Sequence, residues 1–200
     1  MPREYKMRKR ADDWQKTRER ILQATMQLHD EQGVAPTTFS DIAKRAGLGQ
    51  ATLYRHFPTL GDLVQACGGH VWQEMQPPTA EGAAAVFEGL TSVDERLEKL
   101  VEEIDAFYRR GALRLHLAGR DRDLIPALDY FLRAVEAGVG AYVEQALAPA
   151  KPPKRTLEVV TALMSFPVWQ RFGQLELTER KSRELTLRLI QCAIRAAAGI

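Results

Sequence analysis

The stretch "GLGQATLYRHFPTLGDL", residues 47–63, decides how the chain is read. Gly47 ends one short helical pattern and Pro58 limits the next. Upstream, "TTFSDIAKRAG" offers Thr38 as an N-cap and Asp41 at N3, where a carboxylate favours a helix N-terminus. Two short helices joined through a glycine turn match a helix-turn-helix, although the same spacing also fits a plain core hairpin. Ile42, Ala43, Ala46, Leu48, Leu53 and Phe57 can pack inward. That leaves Gln50, Ala51, Thr52, Tyr54, Arg55 and His56 on the free side or at the helix start. A recognition helix turns its N-terminal residues to base edges in the major groove. Glutamine and arginine have bidentate geometry for adenine and guanine, so Gln50 and Arg55 are candidate base readers. Tyr54 and His56 suit phosphate oxygens, which position a protein without specifying sequence.

Charge supports a polyanion partner for this end of the chain. The overall formal charge is only +2, but residues 1–66 hold eleven Lys/Arg against eight Asp/Glu, and residues 67–200 hold seventeen against eighteen. Eight of the basic residues fall in the first twenty, against four acids, which is the pattern of a basic arm. With 45% hydrophobic and 27% charged residues, the chain has material for a sizeable core. Cys67 and Cys192 lie far apart and read as two reduced thiols. No signal-peptide pattern and no apolar run long enough for a membrane span is evident, so a cytoplasmic location is expected.

Helical periodicity recurs and two-residue alternation is nowhere sustained, so the expected fold class is all-α with about nine helices. The clearest helix is "SVDERLEKLVEEIDAFYRR". Val93, Leu97, Leu100, Val101, Ile104, Phe107 and Tyr108 form its stripe, Ser92 and Glu95 its capping box, and Gly111 its expected end. A first helix is expected from about Asp12 to Gln32, a loop or linker over "PPTAEGAAAVFEGL", and a short helix to about Gly119. A long helix follows from about Leu124. Two last helices are expected over about 155–172, kinked at Pro167, and 178–198. The last has two apolar stripes, Leu185–Leu189–Cys192–Ala196 and Leu187–Ile190–Ile194–Ala197; the second face fits another subunit or the centre of its own bundle. The expected domains are residues 1–66 for the helix-turn-helix and 67–200 for effector binding and dimerisation.

On Gly33, Thr38, Ile42–Ala43, Ala46–Gly47 and Thr52–Phe57, about a quarter of the chain resembles the DNA-binding domain of TetR-family transcriptional regulators. The resemblance implies a three-helix DNA-binding domain, a C-terminal domain with an inducer pocket, and a homodimer made through the last two helices. The implied DNA-facing residues are Thr38, Gln50, Ala51, Thr52, Tyr54 and His56. Arg55 is the candidate specificity residue, and Ser40 completes the set. Gly49 stands where the family usually has a capping serine. Leu60 stands where a lysine commonly meets phosphate, and Gly61 replaces a frequent acid. Arg8, Lys9 and Arg10 are expected to compensate by reaching the minor groove or the backbone.

The effector is expected to be a hydrophobic or amphipathic small molecule, cationic or planar. Trp72, Phe107, His116, Tyr130 and Trp169 are its candidate contacts, and bends at Gly138, Gly140 and Pro167 would open space for it. No cofactor and no metal is expected. Zinc-helix, phosphate-loop and nucleophile-elbow motifs are missing from the sequence, so an enzyme is not expected. Asp121 and Asp123 read as loop charge. The expected function is a ligand-responsive regulator, a repressor, on a near-palindromic double-stranded DNA operator. The alternative is a DNA-binding protein with no small-molecule response.

Overall fold

The computed structural model describes residues 2–197, and side chains from 7 to 196. Among these the chain forms ten α-helices and no strand: α1 (Pro2–Gln32), α2 (Phe39–Ala46), α3 (Gln50–His56), α4 (Leu60–Met75), α5 (Ala80–Val86), α6 (Val93–Asp121), α7 (Pro126–Leu147), α8 (Lys154–Leu163), α9 (Phe166–Gly173) and α10 (Glu179–Ala197). A single 3-10 turn, Ala148–Ala150, separates α7 from α8. The all-α expectation holds. The expected end of the last helix at Ala198 lies outside the described residues.

Four boundaries differ from the sequence reading. The first helix begins at Pro2 rather than near Asp12, so the basic arm is helical. The expected linker contains α5, which Thr79 caps by accepting the Gly82 N–H at 3.1 Å. The next segment is anchored by Arg96, which donates to the carbonyls of Phe87, Leu90 and Gln145. Gly111 does not end α6. It is buried, Met75 lies where a Cβ would stand, and the helix runs on through Gly119 to Asp121. Pro167 starts a helix instead of kinking one, because its missing N–H is harmless in a first turn. The α8–α9 break falls at Met164–Ser165. α7 likewise runs unbroken through Gly138 and Gly140, and Gly138 gives the Pro78 backbone room to approach.

The chain divides into two compact units that are not consecutive in sequence. One takes the residues up to Glu74 together with His116–Asp129; the other takes Met75–Leu115 and the residues from Tyr130 onward. The first unit packs Ile21, Leu22, Leu28, Ile42, Ala43, Leu53, Phe57 and Leu63 into one apolar core with Cys67. Burial pushes the Cys67 thiol up to about 12, so it is inert, whereas Cys192 is exposed; neither is in a disulfide. In the second unit Phe87, Leu97, Leu100, Ile104, Phe107, Val143, Leu147, Val160 and Ile190 are almost fully buried. α8 packs on α10, with Val160 and Ile190 turned in and Val159 and Leu189 more than a third exposed.

Candidate nucleic-acid interface and effector crevice

α2 is built for a fixed start and a sharp stop. Thr38 Oγ1 accepts the Asp41 N–H at 3.2 Å, and Asp41 Oδ2 accepts the Thr38 N–H at 3.2 Å, closing the capping box. Gly47 takes a left-handed φ of +62°, and its N–H is donated back to the end of α2. The turn delivers the chain to Gly49, which caps α3 by backbone alone. Leu53 and Phe57 bury the inner face of α3. Gln50, Ala51, Tyr54 and Arg55 are exposed and Thr52 is half-buried; Thr38 and Ser40 are also exposed. Tyr54 is set by an edge-on contact with Phe39 at 4.7 Å.

His56 does not lie on the free side. It is 6% exposed, and its ring lies against Trp14 of α1 with centroids 3.6 Å apart. Burial, with Arg55 and Arg18 nearby, lowers its pKa below the ordinary histidine value. Arg18 covers Phe57 at 4.2 Å and donates to the His56 carbonyl at 3.3 Å; Arg55 lies 5.7 Å over the Trp14 ring. The C-terminal turn of α3 is thus held by α1. Trp14 had no periodic signature that would have marked it in the sequence.

Leu60 packs beside Val34, Val64 and Leu128, so it has a core role in place of the phosphate-binding lysine. Asp62 and Thr59 form the capping box that starts α4. Arg8, Lys9 and Arg10 are exposed on the helical arm. Among the described residues none of them pairs with a carboxylate, although Asp12 and Asp13 lie four positions beyond Arg8 and Lys9.

Asp121 is not loop charge. It ends α6, is 3% exposed, and its Oδ2 accepts the backbone N–H of Val34 at 2.8 Å and of Ala35 at 2.9 Å. Arg120 donates to Asp121 Oδ1 at 2.8 Å and to the Gln32 carbonyl at 2.8 Å. Those bonds, led by Arg120, hold the Asp121 carboxyl below the usual range. Gly33 sits inside the clamp at φ +97°, with Arg120 and Asp121 occupying the space a Cβ would need. Nearby, burial drops His29 to about 4, and its Nε2 has no hydrogen-bond partner.

Of the five candidate effector residues, Phe107, Tyr130 and Trp169 belong to the second unit. Trp72 and His116 belong to the first unit, and Tyr130 is 77% exposed. Phe107 and Trp169 do share an aromatic cluster in the second unit: Tyr108 lies 5.1 Å from Phe107, 5.3 Å from Phe166 and 5.6 Å from Trp169. Beside it runs a crevice of about 310 Å³, mouth included, lined among others by Asp105, Tyr108, Trp169, Ser182 and Arg183. Its enclosed part holds at most one water. Asp105 was missed in the sequence, although its position between Val101 and Tyr108 on an otherwise apolar stripe was a readable signal. Burial pushes the Tyr108 phenol well above its ordinary value, and its O–H donates to the Met164 carbonyl at 2.9 Å.

A short capped helix, a left-handed glycine turn and an exposed second helix over an apolar core define a helix-turn-helix unit. Comparison with known proteins places it more narrowly. Residues 21–67 match the family model "Bacterial regulatory proteins, tetR family", so this N-terminal segment belongs to the TetR family. The HTH-type transcriptional regulator TtgR of Pseudomonas putida is 38% identical over 60 residues, which is 30% of this chain and 29% of that protein. The sequence match to this relative therefore spans under a third of its length. The fold likeness is broader. The multidrug binding protein EbrR, solved with imidazole, aligns over 88% of this chain and 89% of its own at 20% identity and a TM-score of 0.59. The TetR-like regulator LfrR from Mycobacterium smegmatis, solved with proflavine, aligns over 89% of this chain and 96% of its own at 22% identity and a TM-score of 0.53.

Proposed function

We propose that the chain is a cytoplasmic, non-enzymatic transcription regulator, a repressor that binds a near-palindromic DNA operator as a homodimer. The observation that carries this reading is α3. Its inner face is fixed by Leu53, Phe57, Trp14 and Arg18, while Gln50, Tyr54 and Arg55 stay exposed. Gln50 and Arg55 read base edges, and Ala51, Thr52 and Tyr54 contact the backbone and bases beside them. Thr38 and Ser40 at the start of α2 add phosphate contacts. His56 holds α3 from behind rather than touching DNA. Two half-sites one helical turn apart, roughly 34–36 Å, demand two-fold symmetry. α8 and α10 supply the subunit interface, with Val159, Leu189 and Cys192 on the outward face.

The regulator is released by a small molecule held in the second unit. Ligand complexes of EbrR and LfrR support the ligand-responsive reading. The narrowness of the crevice favours the second reading, a DNA-binding protein without small-molecule response. Fluorescence anisotropy on a labelled duplex selected for binding separates them. Sequence-specific binding relieved by a ligand supports the first, binding that no ligand relieves supports the second, and no specific binding overturns both.

A further inference from the structure

Two exposed side chains of α3, Tyr54 and Arg55, are each backed by an aromatic ring from a different helix of the first unit. Tyr54 meets Phe39 of α2 edge-on at 4.7 Å, and the Arg55 guanidinium lies 5.7 Å from the Trp14 centroid. Trp14 is itself fixed, because the buried His56 ring lies against it with centroids 3.6 Å apart. One turn further along α1, Arg18 donates to the His56 carbonyl at 3.3 Å and covers Phe57 at 4.2 Å, which ties α1 to the end of α3. The indole nevertheless stays 41% exposed, beside the exposed face of α3 rather than inside the core. Among the described residues Arg55 makes no ion pair, in contrast to Arg45 of α2, whose guanidinium is held by both carboxylate oxygens of Glu31 at 2.7 Å.

We infer that Trp14 is a specificity-determining positioning residue, which presents the Arg55 guanidinium to the base edge that Arg55 reads. The inference rests on the DNA-reading role of α3. A guanidinium stacks through its face and donates through its edge. Contact with the indole therefore leaves the in-plane N–H groups free for a bidentate pair with O6 and N7 of a guanine. A free arginine side chain loses rotamer freedom when it reads a base. That ordering cost is largely met in advance when the side chain already rests on a ring. The benefit is confined to the base pair under Arg55. Gln50 begins α3 five residues earlier, about 7.5 Å away along the helix axis, and gains nothing from the indole. Trp14 acts through Arg55, whereas Arg55 itself meets the DNA.

The test measures binding of the full chain, by fluorescence anisotropy at fixed salt, to its selected consensus duplex and to two duplexes changed at a single base pair. One change falls where Arg55→Ala loses its preference, the other where Arg55→Ala keeps it. Trp14→Leu retains apolar bulk against His56 and removes the indole face. It should cut discrimination at the Arg55 base pair about three- to tenfold and leave the other within about twofold. Trp14→Phe keeps a smaller ring and should fall between wild type and Trp14→Leu. In an Arg55→Ala background, Trp14→Leu should change discrimination at neither base pair, since the group it positions is gone. Equal losses at both base pairs would reduce Trp14 to a support of α3 as a whole, and unchanged discrimination would leave it no part in reading. Sharper discrimination would make it a competitor that holds Arg55 off the DNA, and a loss that persists without Arg55 would mark an indole that meets DNA directly. Each of these overturns the inference, as does an Arg55→Ala variant that loses preference nowhere. Circular dichroism reports folding; if Trp14→Leu fails to fold, Trp14→Phe, alone and with Arg55→Ala, still decides. A wild type that selects no consensus overturns the DNA-reading role and the inference with it, whereas a consensus read equally well by wild type and Trp14→Leu overturns the inference alone.

Discussion

The helix-turn-helix and the aromatic crevice of the second unit solve opposite problems. In α2 and α3 every capping and turning residue lies within a few positions of its partner, and the chemistry is displayed on the surface. In the crevice the decisive residues, Asp105, Trp169 and Arg183, come from three helices spread over nearly eighty positions, and the central charge is buried. Local sequence therefore suffices to write a helix-turn-helix, while a crevice of this kind depends on packing that no short window contains. The contrast has a limit: the surface-reading unit is itself held by one distant residue, Asp121.

Substituting Gly33 tests that limit, and its effect should be the largest. Gly33→Ala places a Cβ against Arg120 and Asp121 at a left-handed φ. A loss of about 2–4 kcal/mol is expected, or a fall in Tm of roughly 5–15 °C. An unchanged melting curve would mean the clamp is dispensable and the first unit is locally specified throughout.

Acidification sharpens the same point. His29 is lowered from 6.5 to about 4 in the folded chain by burial, so the unfolded state binds more protons between those values. The contribution is fully present above pH 6.5 and is lost as pH falls toward 4, by up to about 3 kcal/mol. His56 is shifted in the same direction. The depressed carboxyl of Asp121 adds a loss only below its ordinary 3.8. Urea unfolding at pH 7, 5.5 and 4.5 should show the decline, and His29→Gln should flatten it; parallel slopes would rule His29 out as its source.

How far the sequence reached follows the same division. The Thr38–Asp41 box, the Gly47 turn and the inward set Ile42, Ala43, Leu53 and Phe57 were legible because their causes are local. His56 was misplaced because its burial depends on Trp14, forty-two positions upstream. Asp121 reads as loop charge in the sequence because the helix after Gly111 is expected to end near Gly119, whereas α6 runs on unbroken to Asp121. The aromatic cluster is half legible: Phe107 and Trp169 are among the candidate contacts, whereas Tyr108 and Phe166, which join them, are not.

Trp14 should matter less than the clamp. Trp14→Ala removes the ring against His56 and the surface under Arg55, and about 1 kcal/mol of stability is expected to go with it. DNA affinity should drop more than the stability change alone explains, because the end of α3 loosens. Equal losses would reduce Trp14 to core packing.

The smallest effect belongs to the arm. A helix is too wide for the roughly 6 Å minor groove, so Arg8, Lys9 and Arg10 are expected to meet phosphates. Replacing one of them by alanine should shallow the slope of log K against log salt by about one for each phosphate left without its cation, with base preference unchanged. A changed consensus would place the arm among the base readers instead.

The most direct test of the central claim is selection of bound duplexes from a random pool at physiological salt, run in parallel on the wild type and on Arg55→Ala. An inverted repeat is expected for the wild type, and a loss of preference at one position of each half-site for the variant. A pool without consensus, or the same consensus from both proteins, would contradict the claim that the exposed face of α3 reads DNA sequence.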